Sequence, residues 1–130
     1  MSHRILLIED NEQNRYLAKF LLKSAGFSVV SASDGPSGVE MARNEPPDLI
    51  LLDIQLPEMD GYRVAGILRE IESLRSVPIV AVTSFAMTGD REKAFAAGCD
   101  GYLEKPIDPD TFVETVAAFL ESDSPPTETP

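Results

Sequence analysis

Several polar residues stand directly after short apolar runs, and their types suggest a shared chemistry. Glu9 and Asp10 follow Ile5 to Ile8, Asp53 follows Leu49 to Leu52, Thr83 and Ser84 follow Ile79 to Val82, and Glu104, Lys105 and Pro106 follow Tyr102-Leu103. Taken singly, acids and hydroxyls at such places serve as caps for the next turn, and Glu9 and Asp10 suit a helix beginning near Asn11 or Glu12. Brought together, three carboxylates raise one another's pKa and call for a cation. Hard carboxylate oxygens without nearby imidazole or thiolate point to Mg²⁺ rather than zinc. The sequence Glu9-Asp10-Asn11-Glu12 would repel an uncomplexed phosphate, which argues against a flavin-type cradle after the first run. Neither GxxxxGK[ST] nor GxGxxG occurs, so no nucleotide-binding fingerprint is present.

These residues share one place only if the elements before them lie side by side. The runs Ile5–Ile8, Leu49–Leu52 and Ile79–Val82 are apolar throughout, the pattern of strands buried on both faces. Phe27 to Ala32 and Tyr102-Leu103 are weaker and suit sheet edges. Helical spacing falls between them: Leu17, Phe20 and Leu21; Val39, Met41 and Ala42; Val64, Ile67, Leu68 and Ile71; Ala94 and Phe95; and Phe112 through Leu120. Asp34, Asp60, Thr88 and Asp108 are placed as N-caps, Pro36 and Pro109 early in their helices, and Gly26 and Gly98 just past helix ends. The strand–helix alternation predicts an α/β fold, a parallel sheet covered by helices on both faces. In such a sheet ligands bind beyond the carboxyl ends of the strands, where these polar residues stand.

At 130 residues the chain has the size of one domain, with 43% apolar and 25% charged residues. Its formal charge of −11 disfavours nucleic acid and anionic membrane surfaces as partners. No apolar run approaches the roughly 20 residues of a membrane-spanning helix. The single cysteine, Cys99, and the absence of a signal-like start predict a cytoplasmic location. Cys99 reads as a core residue and His3 carries no role. Residues 122–130, rich in Ser, Pro and Thr, read as a disordered tail or linker stub.

The four segments Ile8-Glu9-Asp10-Asn11, Leu52-Asp53-Ile54-Gln55-Leu56-Pro57-Glu58-Met59-Asp60-Gly61, Val82-Thr83-Ser84 and Leu103-Glu104-Lys105-Pro106 resemble, in order and spacing, the CheY-like receiver domains of two-component signalling. The resemblance covers residues 4–121. The stretch from Thr83 to Met87 and on through Ala97 to Tyr102 is similar to single-domain receivers of the DivK type and to receivers within hybrid kinases. It implies a doubly wound, flavodoxin-like five-stranded sheet in the order 2-1-3-4-5 with five helices. It also implies that Asp53 accepts a phosphoryl group and that Asp10, Asp53 and the backbone carbonyl of Gln55 ligate Mg²⁺, with Glu9 acting through water. Thr83 would hydrogen-bond the phosphoryl group, Lys105 would ion-pair with it, and Tyr102 occupies the switch-aromatic position. The Lys105–Pro106 bond is cis in that family.

Physical reasoning agrees with those roles. A carboxylate attacking phosphorus approaches an anion, and a divalent cation with an ammonium offsets the charge gathering on the phosphoryl oxygens. Gln55 and Phe85 flank the path of attacking water; Phe85 has no polar group to orient it, which predicts a long phosphoryl lifetime. The implied function is a phosphorylation-controlled module, not an enzyme beyond its own phosphorylation and dephosphorylation. Its donor would be a histidine kinase or a histidine phosphotransfer protein, and its α4–β5–α5 face would control a downstream protein. The expected state is a monomer or a weak phosphorylation-dependent dimer, and no exposed apolar stripe is legible. A stand-alone regulator is the first organisation, a receiver excised from a hybrid kinase or multidomain regulator the second. A Mg²⁺-dependent aspartyl phosphatase of the haloacid-dehalogenase kind is the rival chemistry. It wants a second Asp two positions after the nucleophile, where this chain has Gln55.

Overall fold

A computed structural model describes residues 3–56, 59–83, 90–105 and 107–121. Its strands are β1 (Arg4–Ile8), β2 (Ser28–Ala32), β3 (Leu49–Asp53), β4 (Ile79–Thr83) and β5 (Gly101–Glu104). Its helices are α1 (Glu12–Ser24), α2 (Gly35–Asn44), α3 (Gly61–Glu70), α4 (Asp90–Ala96) and α5 (Phe112–Glu121). The strands form one sheet in the order β2-β1-β3-β4-β5, with every pairing parallel. The three uniformly apolar runs are thus the central strands and the two weaker ones the edges.

Strand alternation divides the core into two halves. Leu6, Ile8, Ile50, Leu52, Ile79 and Ala81 face α2, α3 and α4, packing on Val39, Ala42, Val64, Leu68 and Ala94. Ile5, Leu7, Leu49, Leu51, Val80 and Val82 face α1 and α5, packing on Ala18, Leu22, Phe112 and Val116. Each buried Leu or Ile contributes about 1.5–3 kcal/mol, so this double layer makes the strand ends a rigid platform.

Helix starts follow local chemistry. Asn11 Oδ1 accepts from Asn14 N at 2.9 Å, Asp34 Oδ1 from Ser37 N at 2.7 Å and Asp60 Oδ1 from Arg63 N at 3.0 Å. Gly26 and Gly98 follow α1 and α4 with φ of 98° and 112°. The Asp108 expectation needs correction. Its Oδ1 accepts from Asp110 N at 3.0 Å and its carbonyl from Thr111 and Phe112, closing a turn through Pro109 before α5 begins at Phe112. Thr88 and residues 122–130 lie outside the described residues.

Packing also corrects two apolar assignments. Phe20 is 55% exposed on α1, where Ala18 and Leu22 are the buried residues, and Phe95 is 39% exposed beneath the Arg91 guanidinium on α4. Ile71 is the C-cap of α3, after which a single 3₁₀ turn at Glu72–Leu74 buries Leu74. Arg69 holds this corner: its guanidinium donates to the carbonyls of Gly98, Leu74 and Val77 at 2.8, 2.9 and 2.8 Å and pairs with Asp100. Asp100 in turn accepts from Ile79 N at 2.9 Å, tying α3 to the start of β4. No helix among the described residues is long and apolar enough to cross a membrane.

Candidate functional site

The carboxyl ends of β1, β3, β4 and β5 open on one edge, and the backbone locks them in register. Glu9 N donates to Ala32 O at 3.0 Å, Ile54 N to Val82 O at 3.0 Å and Lys105 N to Thr83 O at 2.8 Å. Carboxylate oxygens of Glu9, Asp10 and Asp53 consequently lie within 4.8 Å of one another. Glu9 and Asp53 are buried at 4% and 3% exposure, whereas Asp10 is exposed. Glu104, exposed on β5, stands outside this cluster.

Lys105 reaches across the site. Its Nζ lies 3.0 Å from Glu9 Oε1 and 3.3 Å from Asp53 Oδ2. Asp53 Oδ1 accepts from the Gln55 backbone N–H at 3.0 Å, which turns the chain after β3 back over the carboxylate. Glu9 Oε2 accepts from Asn11 N at 3.1 Å, and the Arg15 guanidinium donates to Glu9 O at 2.9 Å, holding the β1–α1 turn. The cap of α1 is therefore Asn11, leaving the Glu9 and Asp10 carboxylates to the cluster.

Burial, reinforced by the neighbouring Glu9 charge, pushes the Asp53 carboxyl from 3.8 up to about 7, against the opposing pull of the Gln55 N–H and Lys105. For Lys105, burial works to lower the pKa, but its pairing with Glu9 and Asp53 outweighs burial and raises it. Lys105 is thus a fixed cation, and Asp53 is the group whose charge is costly until a further cation arrives.

Gly61 is required for the geometry around Asp53. Its N–H donates to Ile54 O at 2.9 Å, and a Cβ there would sit 2.5 Å from Ile54 Cα and 2.7 Å from Asp53 O. Only a residue without a side chain lets α3 approach Asp53 this closely. The Gln55 side-chain amide donates to the Thr83 hydroxyl, and Thr83 is buried. Tyr102, paired in register with Ala81, is half-buried against the cluster that packs under α2, α3 and α4. Cys99 is buried in the same half, its thiol pushed up to about 12 by burial. Pro57, Glu58, Ser84, Phe85 and Pro106 lie outside the described residues.

The donor set is hard oxygen without imidazole or thiolate in the cluster, which fits Mg²⁺ by the chemistry of its ligands. The corner at the opposite, amino end of β4, Arg69 with Asp100, escapes a reading of the sequence. Its one local signal is a basic residue in the last turn of α3.

Residues 5–117 match the response regulator receiver domain family. The chain belongs to that family. The receiver is 41% identical over 120 residues to the polar-differentiation response regulator DivK of Brucella ovis, covering 92% of this chain and 98% of DivK. It is also similar to the receiver domain of a sensor histidine kinase from Pseudomonas aeruginosa PAO1, solved with a magnesium ion in its active-site cleft. That likeness has 36% identity and a TM-score of 0.87, over 94% of this chain and 100% of that one. The chemotaxis protein CheY4 of Vibrio cholerae superposes with a TM-score of 0.87 at 25% identity, over 91% of this chain and 98% of that one.

Proposed function

We propose that this receiver accepts a phosphoryl group on Asp53 from a histidine kinase or a histidine phosphotransfer protein, with Mg²⁺ bound by the acidic cluster. The observation that carries the reading is the convergence of Glu9, Asp10 and Asp53 within 4.8 Å with Lys105 3.3 Å from Asp53. An Asp53 carboxylate oxygen forms the new bond to phosphorus as the donor's bond to phosphorus breaks and its electron pair leaves with the donor. Asp10, Asp53 and the Gln55 carbonyl would hold the metal, with Glu9 acting through water. When bound, Mg²⁺ offsets the charge on the transferring oxygens. Lys105 contributes a fixed positive charge beside the acceptor, and its ion pair with Glu9 aims it there. Thr83, at the end of the adjacent strand, donates its hydroxyl to a phosphoryl oxygen.

Aspartyl phosphate carries nearly two negative charges where the carboxylate carried one, and Thr83 moving toward it leaves room for Tyr102. The shift propagates to the face built from α4, β5 and α5, which binds a downstream protein. The domain performs its own phosphorylation and dephosphorylation and no further reaction. Gln55 offers no carboxyl to act as acid and base, which sets this reading above an aspartyl phosphatase. The mechanism is the same for a receiver standing alone and for one carried in a longer regulator.

Intact-mass measurement after incubation with acetyl phosphate tests this directly. A single phosphoryl adduct that requires Mg²⁺ and is missing in Asp53→Asn is expected. Absence of an adduct with acetyl phosphate and with a histidine phosphotransfer donor, together with no binding of beryllofluoride, would refute it.

A further inference from the structure

Helix α1 begins with a cation in a locally unfavourable place. Arg15 is the fourth residue of α1, and helical side chains lean back toward the N-terminus, so its guanidinium stands at the positive end of the helix dipole. Glu12 is the residue in that turn that the dipole favours. What offsets the cost for Arg15 is a pair of carbonyls. Its Nη1 donates to Glu9 O at 2.9 Å and to Asp10 O at 3.4 Å, while its backbone N–H closes the first helical turn on Asn11 O at 2.9 Å. Among the described residues the guanidinium forms no ion pair with a carboxylate. One half-buried nitrogen group thus gathers the carbonyls of two consecutive acids of the cluster.

Those carbonyls set where the carboxylates point. The peptide planes on either side of Asp10 are held by the two bonds to Arg15, and the plane before Glu9 is held by its N–H on Ala32 O at 3.0 Å. The Glu9 carboxylate has further partners, Asn11 N at 3.1 Å and Lys105 Nζ at 3.0 Å. Asp10 is exposed, so packing does not fix its carboxylate, and its place within 4.8 Å of Glu9 and Asp53 depends on its backbone. Mg²⁺ demands near-ideal octahedral ligands at about 2.0–2.1 Å, whereas Ca²⁺ accepts about six to eight oxygens in flexible arrangements. Ligands ordered before the metal arrives therefore favour Mg²⁺ more than Ca²⁺.

We propose that Arg15 is a positioning residue of the acidic cluster: by holding the Glu9 and Asp10 carbonyls it presets their carboxylates for Mg²⁺ and biases the site against Ca²⁺. This rests on the Mg²⁺ reading of the cluster given above. The charge of Arg15 alone acts in the opposite direction, since a cation beside three carboxylates repels a second cation.

The test compares the wild type with Arg15→Met, confirmed folded by its melting transition, in calorimetric titrations with Mg²⁺ and with Ca²⁺. Mg²⁺ binding should weaken about tenfold and Ca²⁺ binding less than about twofold. Arg15→Lys keeps the charge on a stem one bond shorter and should show the same ordering at smaller size. In the metal-free protein, exchange of the Asn11 amide, which rests on Glu9 Oε2, should quicken in Arg15→Met. With acetyl phosphate, the Mg²⁺ concentration giving half the maximal rate should rise about tenfold, while the rate at saturating Mg²⁺ changes less than about twofold. Unchanged or tighter Mg²⁺ binding, equal losses for Mg²⁺ and Ca²⁺, or an unchanged Asn11 amide would overturn the proposal. If the wild type binds no Mg²⁺, the metal reading fails by itself, and the Asn11 amide still decides whether Arg15 orders the two acids.

Discussion

Replacing Asp53 with asparagine should stabilise the metal-free protein at pH 8 and give little gain at pH 5. The folded-state pKa of Asp53 is raised from 3.8 to about 7, chiefly by burial and then by the Glu9 charge. Between those values the folded protein keeps a proton that the unfolded chain has released. Stability therefore falls as pH rises through this window and levels off above about 7. Each unit is worth about 1.4 kcal/mol, so three units set a ceiling of about 4 kcal/mol, of which about 2–3 kcal/mol falls between pH 5 and pH 8. Asparagine has nearly the same shape and no charge to bury, and the attraction of Lys105 at 3.3 Å for the ionised carboxylate is already contained in the value of about 7, so it takes nothing further from this difference. In urea denaturation, a difference of about 2–3 kcal/mol corresponds to a midpoint shift of about 1–2 M. The observable is the divergence of the two pH profiles, with saturating Mg²⁺ closing the gap by stabilising the wild type above pH 7. Parallel profiles from pH 5 to pH 8 would refute the assignment of a buried, charge-strained acceptor.

Further expectations follow from single contacts. Lys105→Met removes the cation between Glu9 and Asp53 and should slow phosphoryl transfer from acetyl phosphate by at least about tenfold, read as initial rate by intact mass; it should also raise the midpoint of Asp53 titration, seen by carboxyl NMR. Gly61→Ala places a Cβ 2.5 Å from Ile54 Cα and should destabilise by about 1–3 kcal/mol in urea, with weaker Mg²⁺ binding by quenching or calorimetry. Arg69→Met leaves the carbonyls of Gly98, Leu74 and Val77 and the Asp100 carboxylate without their donor; a loss of about 2–4 kcal/mol is expected, and exchange of the Ile79 amide should quicken. Phe85→Glu should shorten the phosphoryl lifetime, measured by decay of the adduct mass, and equal or slower decay would remove Phe85 from that role.

The elements are legible because their signals are local. Four-residue apolar runs such as Ile79–Val82 must be covered on both faces, and Asp34 and Asp60 accept from amides three residues on, so strands and caps follow from neighbours in the chain. Glu9, Asp10, Asp53 and Thr83 are legible for the same reason, each standing where a buried strand ends. Sequence reasoning fails where distance along the chain matters. Helical spacing alone assigns Phe20 to the core, yet the orientation of α1 is set by Ala18 and Leu22 against the sheet, and that turns Phe20 and Tyr16 to solvent. Asp108 has a capping residue's chemistry, but the turn through Pro109 delays α5 to Phe112.

By itself, the sequence determined the strand–helix alternation, the central strands and the acidic residues at their ends, since period, capping and apolar runs act over a few residues. Only the tertiary structure decided that Lys105 spans Glu9 and Asp53, that Asp53 is held near pKa 7, that Arg69 braces the start of β4, and which face of α1 looks outward. Those properties depend on desolvation and on charges from segments far apart in the chain. Both exist only once parallel strands have brought their ends together.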